Sequence, residues 1–304
     1  MNKLVVLGSV NADHVLRVPH FPRPGETLVG HNYQVIPGGK GANQAVAAAR
    51  LGADIAFIAT IGDDSFGDNI KAQFIADNMN IQAVTQIPNT PTGIAMIQVS
   101  DEGENSIAIS SEANAYLDIN IVKHHQDLIK NAQYLLMQLE TPIDAITLAA
   151  KIAHSAGTLV TLNPAPAQAL CDDLLANIDM ITPNETEAQV LTGVTVSDEK
   201  SAQQAADILH QKGISKVMIT LGSKGVWLSE TGEKGAIYPG FKVKAIDTTA
   251  AGDTFNGALL CGLIEGKSMP EAITFAHAAA AISVTKNGAQ TSIPSRAQVD
   301  VFLQ

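Results

Sequence analysis

Cysteine is nearly absent: Cys171 and Cys261 are the two in 304 residues, with no CxxC spacing and no histidine cluster nearby. That excludes a disulfide framework and a cysteine–histidine zinc site, and fits a reducing compartment. Charge is scarce as well, at 16% of residues, which argues against long disordered tails. What charge there is runs acidic, 30 Asp and Glu against 19 Lys and Arg for a formal net charge of −11. An extended nucleic-acid footprint wants a basic stripe, so no nucleic-acid partner is expected. A few backbone amides can still bind a phosphate locally, whatever the net charge. Long hydrophobic runs are missing too. The apolar stretch in "MNKLVVLGSVNADH" is too short for a signal sequence or a membrane span, and reads as a first buried strand. The expectation is a soluble, cytoplasmic protein with no membrane partner. There is no internal repeat and no low-complexity linker.

What is present is a large apolar fraction, 46%, ample for a sizeable core. Apolar strand-like runs alternate with helical patterns along most of the chain. "KLVVLGS", "DIAFIATIG", "AQYLLMQL", "TLVTLN", "IDMITPN" and "KVMITLG" read as strands. "ANQAVAAARLG", "FGDNIKAQFIADNM", residues 143–156 and "SAQQAADILHQKG" read as helices. Fully apolar strands alternating with helices predict an α/β fold with a mainly parallel central sheet and helices on both faces. Two stretches break the rhythm. Residues 12–37 and about 90–110 hold turns and short strands but no helix, with "SDEG" as a hairpin loop. Together they predict a small β-sheet projecting from a single domain that spans 1–304.

In a parallel α/β sheet, ligands gather beyond the carboxyl ends of the strands. Asn11 and Asp13 follow the first strand, Glu140 closes "LLMQLE", and Asn184 and Glu187 follow "IDMITP". The turn "TLGSKG" follows another strand. Each alone fits a turn residue or a helix cap, but they share one topological position. In "TPNETEA" the spacing of Asn184 and Glu187 is that of a capping box, which explains both without a ligand. Carboxylates at that edge also suit water around a divalent cation bound to phosphates. "PGGKGANQAV" is not a Walker A loop, because Lys40 precedes Gly41 rather than Ser or Thr, and it does not fit GxGxxG. It reads as a glycine turn before a helix starting near Ala42. Its functional reading is close backbone approach to a small polar ligand, with Lys40 and Asn43 as donors. His124 and His125 sit in a polar, solvent-facing stretch, and His277 in "TFAHAAAA" reads as a packed helix residue. In "DTTAAGDTFNGALL" two acids, Asp247 and Asp253, flank a helix start whose bare amides attract anions.

"LGSVNAD", "PGGKGANQAVAAARLG", "IGDD", "GENSI", "LLMQLE", "NPAPA", "ITPNETEA", "TLGSKGVW", "DTTAAGDTFNGAL" and "FAHAAAAISVTKNGAQTSIP" are collinear over nearly the whole chain. In order and spacing the sequence resembles the ribokinase family of carbohydrate kinases. "GGKGANQA" and "AAGDTFNGA" look like the family's two signatures.

The resemblance implies ATP-dependent phosphorylation of D-ribose at its 5-hydroxyl. Asp253 would be the catalytic base, and the amides of Ala250, Ala251, Gly252 and Asp253 an anion hole for the transferring phosphoryl group. Sugar contacts would be Asn11, Asp13, Gly39, Lys40, Gly41, Asn43 and Glu140, with Asp253 at the reacting hydroxyl. Nucleotide contacts would be Asn184, Thr220, Gly222, Ser223, Gly225, Gly252 and His277, with Glu187 acting through water on Mg²⁺. A monovalent cation, K⁺, would lie by Asp247, Thr249, Ser283, Lys286, Gly288 and Ser292, mostly on main-chain carbonyls. Thr249 and Ser283 depart from the apolar residues expected there, which leaves the cation's affinity open. The two β-rich stretches would form a lid over the sugar and join two subunits as a homodimer, with Ile94, Met96 and Ile109 as contacts. Deoxyribose and fructose kinases are the near alternatives. A nucleoside kinase would want an aromatic lid, and this one offers only Phe21 and Tyr33. A non-catalytic sugar or nucleotide sensor is the remaining reading, but it would have no reason to keep Asp253.

Overall fold

Leu4 and Val6 belong to one buried apolar cluster, Val5 and Leu7 to a second, and all four are fully buried. Side chains alternate across a strand, so the strand β1 (Leu4–Leu7) is covered on both faces. The structure is a computed structural model and describes residues 3–304. The strands that follow are β2 (Asn11–Val18), β3 (His31–Gly38), β4 (Ile55–Gly62), β5 (Val84–Ile87), β6 (Gly93–Ser100) and β7 (Asn105–Ser110). Next come β8 (Tyr134–Met137), β9 (Leu159–Leu162), β10 (Met180–Ile181), β11 (Lys216–Thr220), β12 (Val226–Glu230) and β13 (Ala236–Tyr238).

Nine strands form the main sheet in the order β13-β12-β11-β10-β9-β8-β1-β4-β5. Every pairing from β11 through β5 is parallel, and β12 alone runs against the others, pairing antiparallel with β11 and with the edge strand β13. The helices Lys40–Arg50, Ala251–Ile264 and Met269–Ser283 contribute buried residues to the first cluster; Ile143–Ala156 and Glu199–Gln211 contribute to the second. The expected α/β layering is what forms. Among the described residues, no helix is long and apolar enough to cross a membrane.

Small residues decide how closely two of these helices meet. A Cβ placed on Gly257 would sit 2.5 Å from the Gln44 carbonyl oxygen and 2.7 Å from the Ala47 Cβ. Only glycine lets the Ala251–Ile264 helix lie this close to Lys40–Arg50. This contact brings the first turns of both helices together.

The two irregular stretches form a second, four-stranded sheet, β3-β2-β6-β7. β2 and β6 pair in parallel and the outer pairs are antiparallel. "SDEG" is the expected hairpin loop, closed by the Gly103 amide donating to the Ser100 carbonyl at 2.9 Å, with Gly103 at φ +88°. The pairing also sets which residues share a face. Asp13 lies opposite Ala95, and Ala95 opposite Ile109, so Ile109 shares a face with Asp13. Ala12 lies opposite Ile94 and His14 opposite Met96, which puts Ile94 and Met96 on the other face. The three residues expected at a subunit contact therefore divide between the two faces of the small sheet.

The two sheets are joined at Asp64 and Thr92. Asp64 caps the helix Ser65–Ala76 through the Gly67 amide at 2.8 Å. It also accepts from the Thr92 amide and hydroxyl, both at 2.7 Å, and the same hydroxyl accepts from the Gly62 amide at 3.1 Å. Thr92 precedes β6 and is fully buried.

Candidate active site

The Lys40–Arg50 helix begins two residues before its expected start at Ala42, and has no capping side chain of its own at Gly39. Its first amides are satisfied from afar. The Lys40 amide donates to Glu140 Oε2 at 3.0 Å, the Gly41 amide to Ser9 Oγ at 3.3 Å and the Ala42 amide to the Ser9 carbonyl at 2.9 Å. Ser9 Oγ also donates to Glu140 Oε2 at 2.6 Å. This helix start is occupied by the protein and offers no amides to a phosphate. Gly39 has φ +89°, and Cβ atoms at Gly39 and Gly41 would lie 2.8 Å from the Asn11 amide and 2.4 Å from the Ser9 amide. The backbone that approaches these glycines closely is the chain's own.

The Ala251–Ile264 helix is the opposite case. Ala250 precedes it in the left-handed region at φ +57°, and no side chain caps it. The Ala251 amide is engaged by the Thr248 carbonyl at 3.2 Å, so the expected four-amide set loses one member to a turn. The amides of Ala250, Gly252 and Asp253 have no acceptor among the described residues. They face a cleft of about 220 Å³ lined by Lys40, Thr182, Asn184, Glu187, Thr220 and Asp253, among others. Free amides at a helix start favour an anion.

Asp253 is buried at 7% exposure, two residues into that helix. Asn43 Nδ2 donates to its Oδ2 at 3.0 Å and Gln44 Nε2 to its Oδ1 at 2.9 Å. Asn43 Oδ1 is buried with no partner, as is Asp13 Oδ1. Asn11 is held by Asn114, whose Nδ2 donates to Asn11 Oδ1 at 2.8 Å. Unpaired buried acceptors of this kind are open to a ligand's hydroxyl donors. Asn11, Asp13, Asn43 and Glu140 lie outside the cleft lining, while Lys40 and Asp253 border both regions.

The electrostatics tie these groups together. Burial, then the Glu140 and Asp253 carboxylates, push the Asp13 carboxyl up to about 7, against the pull of Lys40. Burial is the largest influence on the Lys40 ammonium and lowers it, but Asp253, Glu140, Glu187 and Asp13 together outweigh burial and leave it raised. Burial raises Glu187, opposed by the Asn184 amide and Lys40. One ammonium thus serves four carboxylates.

The remaining expected residues divide. Asn184 and Glu187 form the predicted capping box, each bond 2.8 Å, and both line the cleft. Thr220 lines it too, but Gly222, Ser223, Gly225 and His277 do not. His277 packs against Phe255 with ring centroids 5.2 Å apart; burial pulls its imidazole down, opposed by the Pro239 carbonyl. Gly225 has φ +103° and a Cβ there would meet the Tyr238 carbonyl oxygen at 2.1 Å, so β13 closes over it. Asp247 Oδ1 accepts from the Thr249 amide and hydroxyl at 2.9 and 2.6 Å, and Oδ2 from the Gly288 amide at 2.8 Å. Burial raises the Asp247 carboxyl, but the Thr249 hydroxyl, the Gly288 and Thr249 amides and Arg17 together bring it below its ordinary value. The Ser283 and Ser292 hydroxyls donate to the Ala280 and Ala289 carbonyls, and the Lys286 amide to the Ser283 carbonyl.

Sequence reading missed Ser9, Gln44, Asn114, Gln138 and Asn163. Gln138 and Asn163 stand one residue past β8 and β9, and that position was the available signal.

A buried acid beside free helix-start amides, at the carboxyl edge of a parallel sheet, defines a site built for phosphoryl transfer. The chain belongs to the pfkB family of carbohydrate kinases, whose model matches residues 1–296. It is 56% identical to a ribokinase of Haemophilus influenzae over 301 residues, covering 99% of this chain and 98% of that protein. A deoxyribokinase of Salmonella typhi is 35% identical over 302 residues, covering 99% and 98%. Among solved structures, an Arabidopsis thaliana ribokinase complexed with ribose and ATP superposes with a TM-score of 0.93 at 35% identity, covering 100% of this chain and 99% of that one.

Proposed function

We propose that the chain transfers the γ-phosphoryl group of ATP to the 5-hydroxyl of D-ribose, giving D-ribose 5-phosphate and ADP. The observation that carries this is Asp253: a buried carboxylate fixed on both oxygens, between the free helix-start amides and the polar groups below the small sheet. Asp253 takes the hydroxyl proton as the sugar oxygen bonds to the γ-phosphorus. The bond from that phosphorus to the bridging oxygen breaks, and ADP leaves with the electron pair. The amides of Ala250, Gly252 and Asp253 hold the charge that builds on the transferring group. One such donor is worth about 2.7–4 kcal/mol.

Asn11, Asp13, Asn43, Lys40 and Glu140 hold the sugar. The unpaired Asp13 Oδ1 and Asn43 Oδ1 support this, since a pentose is nearly all hydroxyl. Asn184, Thr220 and Gly252 line the nucleotide side, with Gly222, Ser223, Gly225 and His277 farther out. Glu187 spends Oε2 on the Asn184 amide and keeps Oε1 for the water of a bound Mg²⁺, a hard cation that suits oxygen donors. Asp247, Thr249, Ser283, Lys286, Gly288 and Ser292 would hold K⁺, mostly through main-chain carbonyls, which as oxygen donors suit such a cation. Bound there, K⁺ would add fixed positive charge beside the helix-start amides. The small sheet acts as a lid and as the contact of a homodimer.

The deoxyribokinase relative favours 2-deoxyribose as the second reading. ADP release with Mg-ATP over D-ribose, 2-deoxyribose, fructose and adenosine separates the two. The expected result is the highest kcat/KM with ribose, and lower rates when a large organic cation replaces K⁺. A preference for deoxyribose overturns the substrate; turnover indifferent to the cation overturns the K⁺ site.

A further inference from the structure

Gln44 is fully buried and lies outside the cleft lining, yet it makes three amide contacts. Nε2 donates to Asp253 Oδ1 at 2.9 Å and to Asn163 Oδ1 at 3.0 Å, which uses both of its hydrogens. Oε1 accepts from Gln138 Nε2 at 2.6 Å. The reversed amide would set Oε1 against the Asp253 carboxylate and Nε2 against a donor. Its orientation is therefore fixed by its neighbours.

Those neighbours are themselves anchored to the sheet. Gln138 follows β8, Asn163 follows β9, and Asn163 Nδ2 donates at 3.0 Å to the carbonyl of Thr182, which follows β10. The Thr182 hydroxyl donates at 2.7 Å to Asn256 Oδ1, and Asn256 Nδ2 returns at 2.9 Å to the Gly252 carbonyl. The network runs from three adjacent strand ends to the residue before Asp253 and to Asp253 itself. Gln138 Oε1 is left buried and unpaired. An apolar side chain would fill this core position with no orphaned oxygen.

We propose that Gln44 is a positioning residue: held by Gln138 and Asn163, it sets the plane of the Asp253 carboxylate for the reaction. This rests on the base role of Asp253 proposed above. Asn43 grips the other oxygen but has a free acceptor of its own for the sugar; Gln44 has no second task. Misplacing a reacting group by about 1 Å costs about 10²-fold in rate.

The test is Gln44→Met in the wild-type and Asp253→Asn backgrounds, with kcat and both KM values measured for D-ribose and Mg-ATP. In the wild-type background kcat falls about 10- to 10²-fold, with either KM within about two-fold of its original value. In Asp253→Asn the same change lowers the residual rate less than about two-fold, because the group it positions is gone. Equal losses in both backgrounds, or a loss confined to KM, overturn the role of Gln44 alone. Near-normal turnover in Asp253→Asn by itself overturns the base role, and this proposal with it. Should Gln44→Met not fold, Gln138→Met keeps Gln44 and removes only its orienting donor. A several-fold kcat loss seen only with Asp253 present supports the proposal; an equal loss without Asp253 overturns it.

Discussion

Among the site residues, two acids face opposite demands. Asp253 has a donor on each oxygen, and Asn43, whose Oδ1 is unpaired, can turn its amide to accept from an introduced Nδ2, so Asp253→Asn keeps the shape of the site while removing the proposed base. The expected outcome is a melting temperature within a few degrees of wild type and kcat lower by about 10²-fold or more. Steady-state assay beside thermal melting checks this. Asp13 has an orphaned oxygen, and burial with two neighbouring carboxylates lifts its carboxyl from 3.8 to about 7. A raised folded-state value means the folded chain holds a proton that the unfolded chain has released between those two values. Stability from this group therefore declines as pH rises from about 4 to about 7, and the cost is complete above 7. Asp13→Asn should gain stability at pH 8 and lose that advantage by pH 4, read from melting across that range. An unchanged difference at both ends would mean that Asp13 does not titrate as described.

Where elements meet, local pattern explains some boundaries and fails at others. The helix over 143–156 was legible because apolar spacing and the left-handed Gly157 at its end lie within its own sequence. The start of Lys40–Arg50 was not, because Ser9 and Glu140 supply its caps, the latter 100 residues away. Gln44 escaped notice for a related reason: an amide inside an alanine-rich helix reads as filler until Asp253, 209 residues on, comes to rest against it. The strands were visible from their apolar runs, whereas the split of Ile94 and Met96 from Ile109 needed the register across β6 and β7. At the joint between the sheets, Thr92→Val removes a donor to Asp64 and leaves the Gly62 amide unpaired. A hydrogen bond to a charged group contributes about 1.5–3 kcal/mol, so urea unfolding should show a loss of about that size. A loss below about 0.5 kcal/mol would mean the joint does not hold the small sheet in place.

Over the whole molecule, exposed apolar side chains are scattered, Val29, Ile75, Ile246 and Val301 among them, but the small sheet carries three within two paired strands: Met96, Ile107 and Ile109 are 56%, 55% and 47% exposed. Ile107 and Ile109 lie on the Asp13 face and Met96 on the other. A homodimer through this sheet predicts a sedimentation mass of twice 31.8 kDa, falling toward the single-chain value in a Met96→Asp, Ile107→Asp variant. A single-chain mass for the unaltered protein would end that reading.

The side chains of Gln138, Asn163 and Thr182, each one residue past its strand, bear on how the sequence can drift in length. Packing alone would let a strand gain or lose a residue by sliding its neighbours. Here an added residue in β8, β9 or β10 would turn the following polar side chain to the opposite face of the sheet and break the link toward Gln44 or Asn256. Insertions and deletions should therefore be tolerated at the hairpin 100–104 and refused at residues 137–138, 162–163 and 181–182, a pattern that a deletion scan read by turnover would reveal.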